Sequence, residues 1–240
     1  MKKVLVACEE SQTVCKAFRE RGFEAYSCDI QDCSGGHPEW HIKADVLPLL
    51  NGDISFTTVG GCDVTINGKW DLIIAHPPCT FLSNAGACRM YKLFDGEQYI
   101  RAKRYWQMIE GRAFFHKMLE ADCEHIAVEN PLPLKIAQLP KQTQTIQPYE
   151  YGDPFSKRTL LWLKGLPPLM STLICSKHET WIESNTSGYA RGKGGSPGVA
   201  KNQRERSKTF PGIAAAMAEQ WGNYIMESEE DNGHIKHGLC

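Results

Sequence analysis

Cys79 and Glu129 are the residues whose types and settings suit covalent chemistry. Each ends a short apolar run and has proline beside it. Leu72-Ile73-Ile74-Ala75 leads into His76-Pro77-Pro78-Cys79, and residues 125–128 lead into Glu129-Asn130-Pro131. A thiolate can add to an electron-poor carbon and later leave, and a carboxyl group can move the proton that the addition requires. A free thiol is only a few per cent ionised at neutral pH, so a site using Cys79 must help it ionise. Pro77-Pro78 fixes φ and makes a stiff turn able to hold Cys79 in one direction. Taken singly, Cys79 also fits a small buried residue, and Glu129 a helix-capping carboxylate. Their convergence decides. Parallel strands would bring both side chains to one rim, the carboxyl edge at which open α/β sheets place their ligands.

The rest of the chain reads as such a sheet. Residues 3–8 form a buried strand, helical spacing through Val14 and Phe18 runs to Gly22, and 23–28 form a second strand closing on Asp29. Asp29 stands about 20 residues after the first turn, where a doubly wound sheet holds ribose hydroxyls. The usual glycine-rich turn is replaced by Ala7-Cys8-Glu9-Glu10-Ser11-Gln12. Pyrophosphate would meet carboxylates there, which argues against NAD and ATP and leaves room for a cofactor with a cationic sulfonium. Asp45, at a short third strand near 44–46, is a second acid for the cofactor, on its adenine side; a loop aspartate is the alternative. Cys28, Cys33, His37 and His41 form a zinc-like set, but their spacing matches no common four-ligand pattern. No metal site is expected.

Further along, 53–69 alternates as a β-hairpin at the sheet's edge, and 80–86 is a mobile loop. The longest helix spans 99–121, with Arg101, Lys103 and Arg104 on a solvated face. Residues 144–148 and 159–163 are the last strands, and Lys157 and Arg158 fall between them near the rim. A basic loop follows at 188–208, where Arg191, Lys193, Lys201, Arg204, Arg206 and Lys208 face the single acid Glu205. Such a loop suits phosphate contacts. Residues 210–225 form a final amphipathic helix, and 227–240 a polar tail.

At 240 residues the chain fits one sizeable domain over residues 1–226, and its 42% hydrophobic and 23% charged residues are those of a soluble protein. A net charge of −1 gives no global pull towards nucleic acid or membrane, so any basic surface is local. The ten cysteines are irregularly spaced and no secretory signal precedes them, which points to free thiols in a reducing cytoplasm. No apolar run approaches the roughly 18 residues needed to cross a bilayer.

Pro77-Pro78-Cys79, then Glu129-Asn130, then a late basic segment resembles the cytosine-5 DNA methyltransferases, in which Pro-Cys carries the nucleophile and Glu-Asn the acid. The two strands come in that family's order. The loop Asp32-Cys33-Ser34-Gly35-Gly36-His37-Pro38-Glu39-Trp40-His41 and the segment Leu161-Trp162-Leu163-Lys164-Gly165-Leu166-Pro167 look most like the compact phage and prophage members. The resemblance spans about residues 3–225, and only Pro-Pro-Cys and Glu-Asn are specific signals.

The resemblance implies a doubly wound, mostly parallel α/β sheet of the S-adenosylmethionine-dependent methyltransferase type. The hairpin would be an insertion, and the target-recognition region would shrink to about 165–208. It implies catalysis by Cys79, Glu129 and Arg158, with Arg158 or Lys157 on the base's carbonyl oxygen. S-adenosyl-L-methionine would lie against Ala7, Glu9, Ser11, Asp29, Asp45 and Pro77. DNA with a flipped cytosine would meet Pro78, Asn130, Lys157, Arg191, Lys193, Arg204 and Arg206. Burial is expected to raise the pKa of Glu129 until it donates to the ring nitrogen. An accessory specificity subunit, a bacterial or phage-infected host cytoplasm, and a role in phage protection or restriction–modification complete the implication.

The sequence departs from that pattern at Pro131, where valine is usual, and in the Gln-x-Arg-x-Arg element, reduced to Lys157-Arg158. Three other readings stand beside it. Adenine-N6 and cytosine-N4 methyltransferases need an aromatic residue where Cys79 stands. Carbon-5 modification of a free nucleotide or RNA keeps Cys79 and Glu129 without the basic loop. A silent nucleic-acid-binding relative keeps only the fold.

Overall fold

The computed structural model describes residues 1–84, 87–182 and 198–227, apart from the side chains of Cys88, Gln203 and Arg204. Its first half contains β1 (Lys3–Ala7), α1 (Thr13–Glu20), β2 (Glu24–Asp29), β3 (His41–Lys43), the hairpin β4 (Ile54–Thr57) and β5 (Asp63–Ile66), and β6 (Leu72–Ala75). The short helix α2 (Ala87–Met90), a second hairpin β7 (Tyr91–Phe94) and β8 (Glu97–Ile100), and the long helix α3 (Ala102–Leu119) follow. After β9 (Ile126–Asn130) come β10 (Gln144–Ile146), β11 (Phe155–Ser156), β12 (Thr159–Lys164) and β13 (Glu179–Thr180). Helices α4 (Gln203–Ser207) and α5 (Pro211–Ala216) are the last elements of the described residues, α5 passing through a π-turn at Met217–Trp221 into further helix to residue 227.

Seven strands form the central sheet in the order β10-β12-β9-β6-β1-β2-β3. Strands β3, β2, β1, β6 and β9 are mutually parallel, while β12 runs against β9 and β10 against β12. The chain leaves β1 first towards β2 and β3, then returns to the other side for β6 and β9. The order therefore reverses between β1 and β6, and at such a switch point the carboxyl ends open a crevice.

Alternation along the strands explains the two-sided core. Leu5, Tyr26, Ile73, Ile126, Val128 and Trp162 face a layer containing Met108, Phe115 and Met118 of α3. Val4, Val6, Ala25, Leu72, Ile74 and Leu161 face Val14 and Phe18 of α1, Ile213 of α5, and Met217 and Trp221 of the π-turn that follows it. All four residues of β6 are buried, as a strand covered on both faces must be. The hairpin β4–β5 is a separate two-stranded sheet beside the β3 edge, tied there by Val59 N–H donating to the His41 carbonyl at 2.8 Å.

Several expectations need correction. The third strand is 41–43, and 44–46 only follow it. The long helix starts at Ala102; residues 97–100 form β8, folded onto β7 by Asp95-Gly96, both with positive φ (51° and 77°). Two adjacent left-handed residues suit a tight hairpin turn, so Tyr99 lies on a strand and not on the helix. Within 80–86, Leu82 is fully buried and Ser83 bridges to Pro133, so this part of the segment packs and is no free lid; 85 and 86 lie outside the described residues. The polar tail from 228 also lies outside them.

Candidate active site

The turn between β1 and α1 is built without glycine. Cys8 and Gln12 take left-handed φ values of 59° and 56°. Between them Glu9 folds back over the helix end: Val14 N–H donates to its Oε1 at 2.7 Å and Cys15 N–H to its Oε2 at 3.1 Å. The helix N-terminus that a dinucleotide site would offer to pyrophosphate is thus filled by the chain's own carboxylate. Burial pushes the Glu9 carboxyl up, against the pull of His76 and of these hydrogen bonds. Gln12, fully buried, donates to the His37 carbonyl at 2.8 Å and accepts from His37 N–H at 3.0 Å, pinning the 31–37 loop over the turn. Gly35 makes that close approach possible, since a Cβ there would stand 2.5 Å from Gln12 Cβ.

Asp29 and Asp45 reach the same end of the sheet. Burial pushes the Cys8 thiol up first, and the charges of Asp29, Cys28 and Asp45 add to it, so both acids lie around the end of β1. Asp29 accepts from Gln31 N–H at 2.9 Å, and exposed Asp45 accepts from Leu47 N–H at 3.1 Å. Ala7, Ser11 and Pro77 are buried, Ala7 opposite Cys28 in the register of β1 and β2. Cys28, Cys33, His37 and His41, the zinc-like set, are otherwise placed. Cys28 is inside β2, His37 stacks on Trp40 with centroids 3.8 Å apart, and His41 bonds Ser27 Oγ and the Gln31 carbonyl.

Across the switch point, His76 N–H donates to the Ala7 carbonyl at 2.9 Å, so the chain leaving β6 is fixed to the end of β1 before the prolines begin. Its imidazole Nδ1 lies 3.2 Å from Glu129 Oε2, and the two side chains are only 8% and 12% exposed. Glu129 lies in β9 beside β6, so the carboxylate and the Cys79 turn share one rim. Burial pushes the Cys79 thiol up, the charge of Glu129 pushes it further, and Lys157 pulls it down. For Glu129, burial pushes up, but the hydrogen bond from His76 and the charges of Lys157 and His76 outweigh it and hold the carboxyl below its usual range. The expectation of a protonated Glu129 is thereby overturned: burial comes with a bonded imidazole and a cation, which favour the charged form.

Lys157 and Arg158 part company. Lys157 acts on both Cys79 and Glu129; its ammonium donates to the Lys208 carbonyl at 3.2 Å and lies 5.9 Å from the centroid of Phe210. Arg158 is exposed. Asn130 is 1% exposed, and among the described residues neither its Nδ2 nor its Oδ1 has a partner; His76 Nε2 is buried and likewise without a partner among them. Buried polar atoms left without a partner cost about 1–3 kcal/mol each, so these atoms call for a partner from outside the chain, water or ligand. Pro78 is exposed at the turn. Arg206 is exposed; Arg191 and Lys193 lie outside the described residues, as does the side chain of Arg204.

Sequence reading passed over two residues. His76 carried a signal, being the strand-end position next to the prolines. Arg104 carried none: placed on a solvated face, it instead donates to the Thr80 carbonyl and stacks 4.3 Å from the Phe81 ring centroid, across an intervening hairpin. It fixes the segment just after Cys79.

No established family profile and no curated protein matches the chain. Among solved structures it is similar to a DNA modification methyltransferase encoded within an E. coli prophage, with 13% identity, a TM-score of 0.43 and 73% of this chain aligned. It is also similar to the Entamoeba histolytica methyltransferase EhMeth (13%, 0.41, 75% of this chain) and to a mutant of Spodoptera frugiperda DNMT2 (15%, 0.36, 76%). The aligned regions cover 52%, 58% and 55% of those proteins, so this chain spans little more than half of each. The architecture rests on the strand order itself. Among the described residues, no helix is long and apolar enough to cross a membrane.

Proposed function

We propose that this chain is an S-adenosylmethionine-dependent DNA methyltransferase acting on cytosine carbon 5. The observation that carries the proposal is the shared rim of Glu129, in β9, and Cys79, on the turn leaving the adjacent parallel β6, with Lys157 acting on both. Cytosine carbon 5 is a poor nucleophile until a thiolate adds at carbon 6. Glu129, ionised at rest, takes the Cys79 proton as the S–C6 bond forms, and passes it to the ring nitrogen that receives the electron pair. Lys157 offsets the negative charge shared by sulfur and carboxylate. The cofactor, when bound, supplies the electrophilic methyl group to carbon 5. Loss of the carbon-5 proton to solvent and expulsion of the thiolate, with the ring-nitrogen proton returning over Glu129 to sulfur, then restore Cys79 and the aromatic ring.

The residues present suit such a cofactor. Asp29 and Asp45 offer acceptors for sugar and base, and the filled α1 terminus and the carboxylate-rich turn disfavour pyrophosphate but accept a cation. A polymeric substrate is favoured over a free nucleotide by the hairpin and helix that follow the Cys79 segment. Phe94 and Tyr99 of the hairpin and Trp106 of α3 are 70%, 43% and 64% exposed, in a stretch that also exposes Lys92, Arg101 and Lys103 beside the acid Glu97, which accepts from the Tyr99 hydroxyl. Aromatic platforms set among cations suit a strand of bases and phosphates.

The test is DNA carrying 5-fluorocytosine, incubated with cofactor and resolved under denaturing conditions. Fluorine cannot leave as the carbon-5 proton does, so the adduct persists. A band of protein on DNA is expected, and its absence with Cys79→Ser. An adduct that survives Cys79→Ser, or one formed with the free nucleotide and not with DNA, refutes the proposal.

A further inference from the structure

The mechanism leaves His76 without a task, yet its setting is not that of a core histidine. His41 shows what such a residue looks like here: both ring nitrogens are satisfied, by Ser27 Oγ and by the Gln31 carbonyl, each at 2.9 Å. Among the described residues His76 bonds through one nitrogen. Nδ1 meets Glu129 Oε2 at 3.2 Å, while Nε2 is buried and has no partner there. Its backbone is held at both sides, by the bond to the Ala7 carbonyl and by the fixed φ of Pro77, so the ring leaves the sheet from a set point.

The groups around it are charged or chargeable. Glu129 faces it from β9, and Glu9, from the turn after β1, feels its charge. Lys157, from the segment before β12, acts on Glu129, and the Cys79 thiol lies beyond on the same turn as His76. We infer that His76 is a positioning residue that, through Nδ1–H, holds the Glu129 carboxylate in one orientation and ionised, ready to take the Cys79 proton. The inference rests on the reading of this rim as a thiol-addition centre and takes it one residue further. The proton account is closed without His76: the S–H bond breaks, the proton passes over Glu129 to the ring nitrogen, and Nδ1 keeps its hydrogen throughout.

Two variants and one spectrum test this. His76→Leu removes the donor, so burial acts on Glu129 with less opposition and the carboxyl keeps its proton to higher pH. At pH 6 kcat is expected to fall at least about tenfold, with KM for DNA little changed, and the loss is expected to shrink towards pH 8. His76→Asn sets an amide N–H near the place of Nδ1 and is expected to recover most of the rate. A His76→Leu profile running parallel to the parent's overturns the inference, since a purely structural role lowers the melting temperature without changing the profile. Should His76→Leu not fold, nitrogen NMR of the parent and of Glu129→Gln decides alone. A proton on Nδ1 in the parent, with that preference lost in Glu129→Gln, is the expected result; a parent carrying it on Nε2 overturns the inference. The spectrum needs no turnover, so an absence of methyl transfer to any pyrimidine would count against the proposed function and leave this inference to the NMR result.

Discussion

Gly212→Ala should be among the most damaging single methyl groups that can be added to this protein. Gly212 opens α5 against the 148–153 turn, and a Cβ there would stand 1.9 Å from the Tyr151 carbonyl oxygen and 2.7 Å from Asp153 Oδ2. Ordinary carbon–oxygen contacts are about 3.3 Å, so the first turn of α5 must retreat by roughly 1.4 Å. The retreat breaks the 2.9 Å bond from Gly212 N–H to Asp153 Oδ2, worth about 1.5–3 kcal/mol as a bond to a charged group. Overpacking adds about 1–3 kcal/mol. At about 2–4 °C per kcal/mol for a chain of this size, the melting temperature should fall by roughly 10 °C.

The same retreat carries Phe210 and Lys208 with it, and these are the contacts that hold Lys157. Well below the melting point, kcat/KM should therefore drop by at least about tenfold, within the roughly hundredfold that a misplacement of about 1 Å can cost. Gly111→Ala is the control. In the middle of α3 its Cβ would lie 3.5 Å from Leu82 Cγ, an ordinary contact, and alanine should raise stability by up to about 1 kcal/mol. Paired thermal melts and steady-state rates check both. A Gly212→Ala protein that melts within about 2 °C of the parent with unchanged kcat/KM refutes the reasoning.

Two more outcomes follow from the same geometry. Because the Glu129 charge holds the Cys79 thiol up and Lys157 pulls it down, iodoacetamide should label Cys79 faster at pH 7.5 in Glu129→Gln and slower in Lys157→Met; mass spectrometry of the labelled peptide reads both, and equal rates would sink the electrostatic account. Arg104→Ala removes the donor to the Thr80 carbonyl and the cation over Phe81, so protease nicking at 80–84 should quicken and kcat should fall about tenfold while the melting temperature moves little.

The sheet was legible because its strands announce themselves. Leu72-Ile73-Ile74-Ala75 and 126–128 are too apolar for any edge, and the prolines after each mark where the chain turns. Glu129 and Cys79 were legible for the same reason, as reactive types at the ends of those strands. What could not be read was pairing at a distance. The partner of Glu129 is decided by the register of β6 against β9, which no local pattern states, and so its charge state came out opposite to expectation. Arg104 looked solvated because its contact closes over a hairpin that was itself hidden: Tyr91-Lys92-Leu93-Phe94 and Glu97-Gln98-Tyr99-Ile100 carry a turn signal, yet Tyr99 also fits the spacing of the helix that follows. The left-handed Cys8 and Gln12 are unreadable in principle, since neither residue type calls for that conformation.

Strand β12 travels against its neighbour β9, with Leu160 opposite Asn130 and Leu161 opposite Glu129. Traffic at the working edge is therefore two-way: chain departs from β1, β6 and β9 and arrives at β12. An arriving segment can be lengthened or exchanged upstream while every departing turn keeps its anchor. The stretch that delivers Lys157 is thus a natural port for new specificity, one at which an insertion alters what the edge touches and leaves the register of the sheet intact.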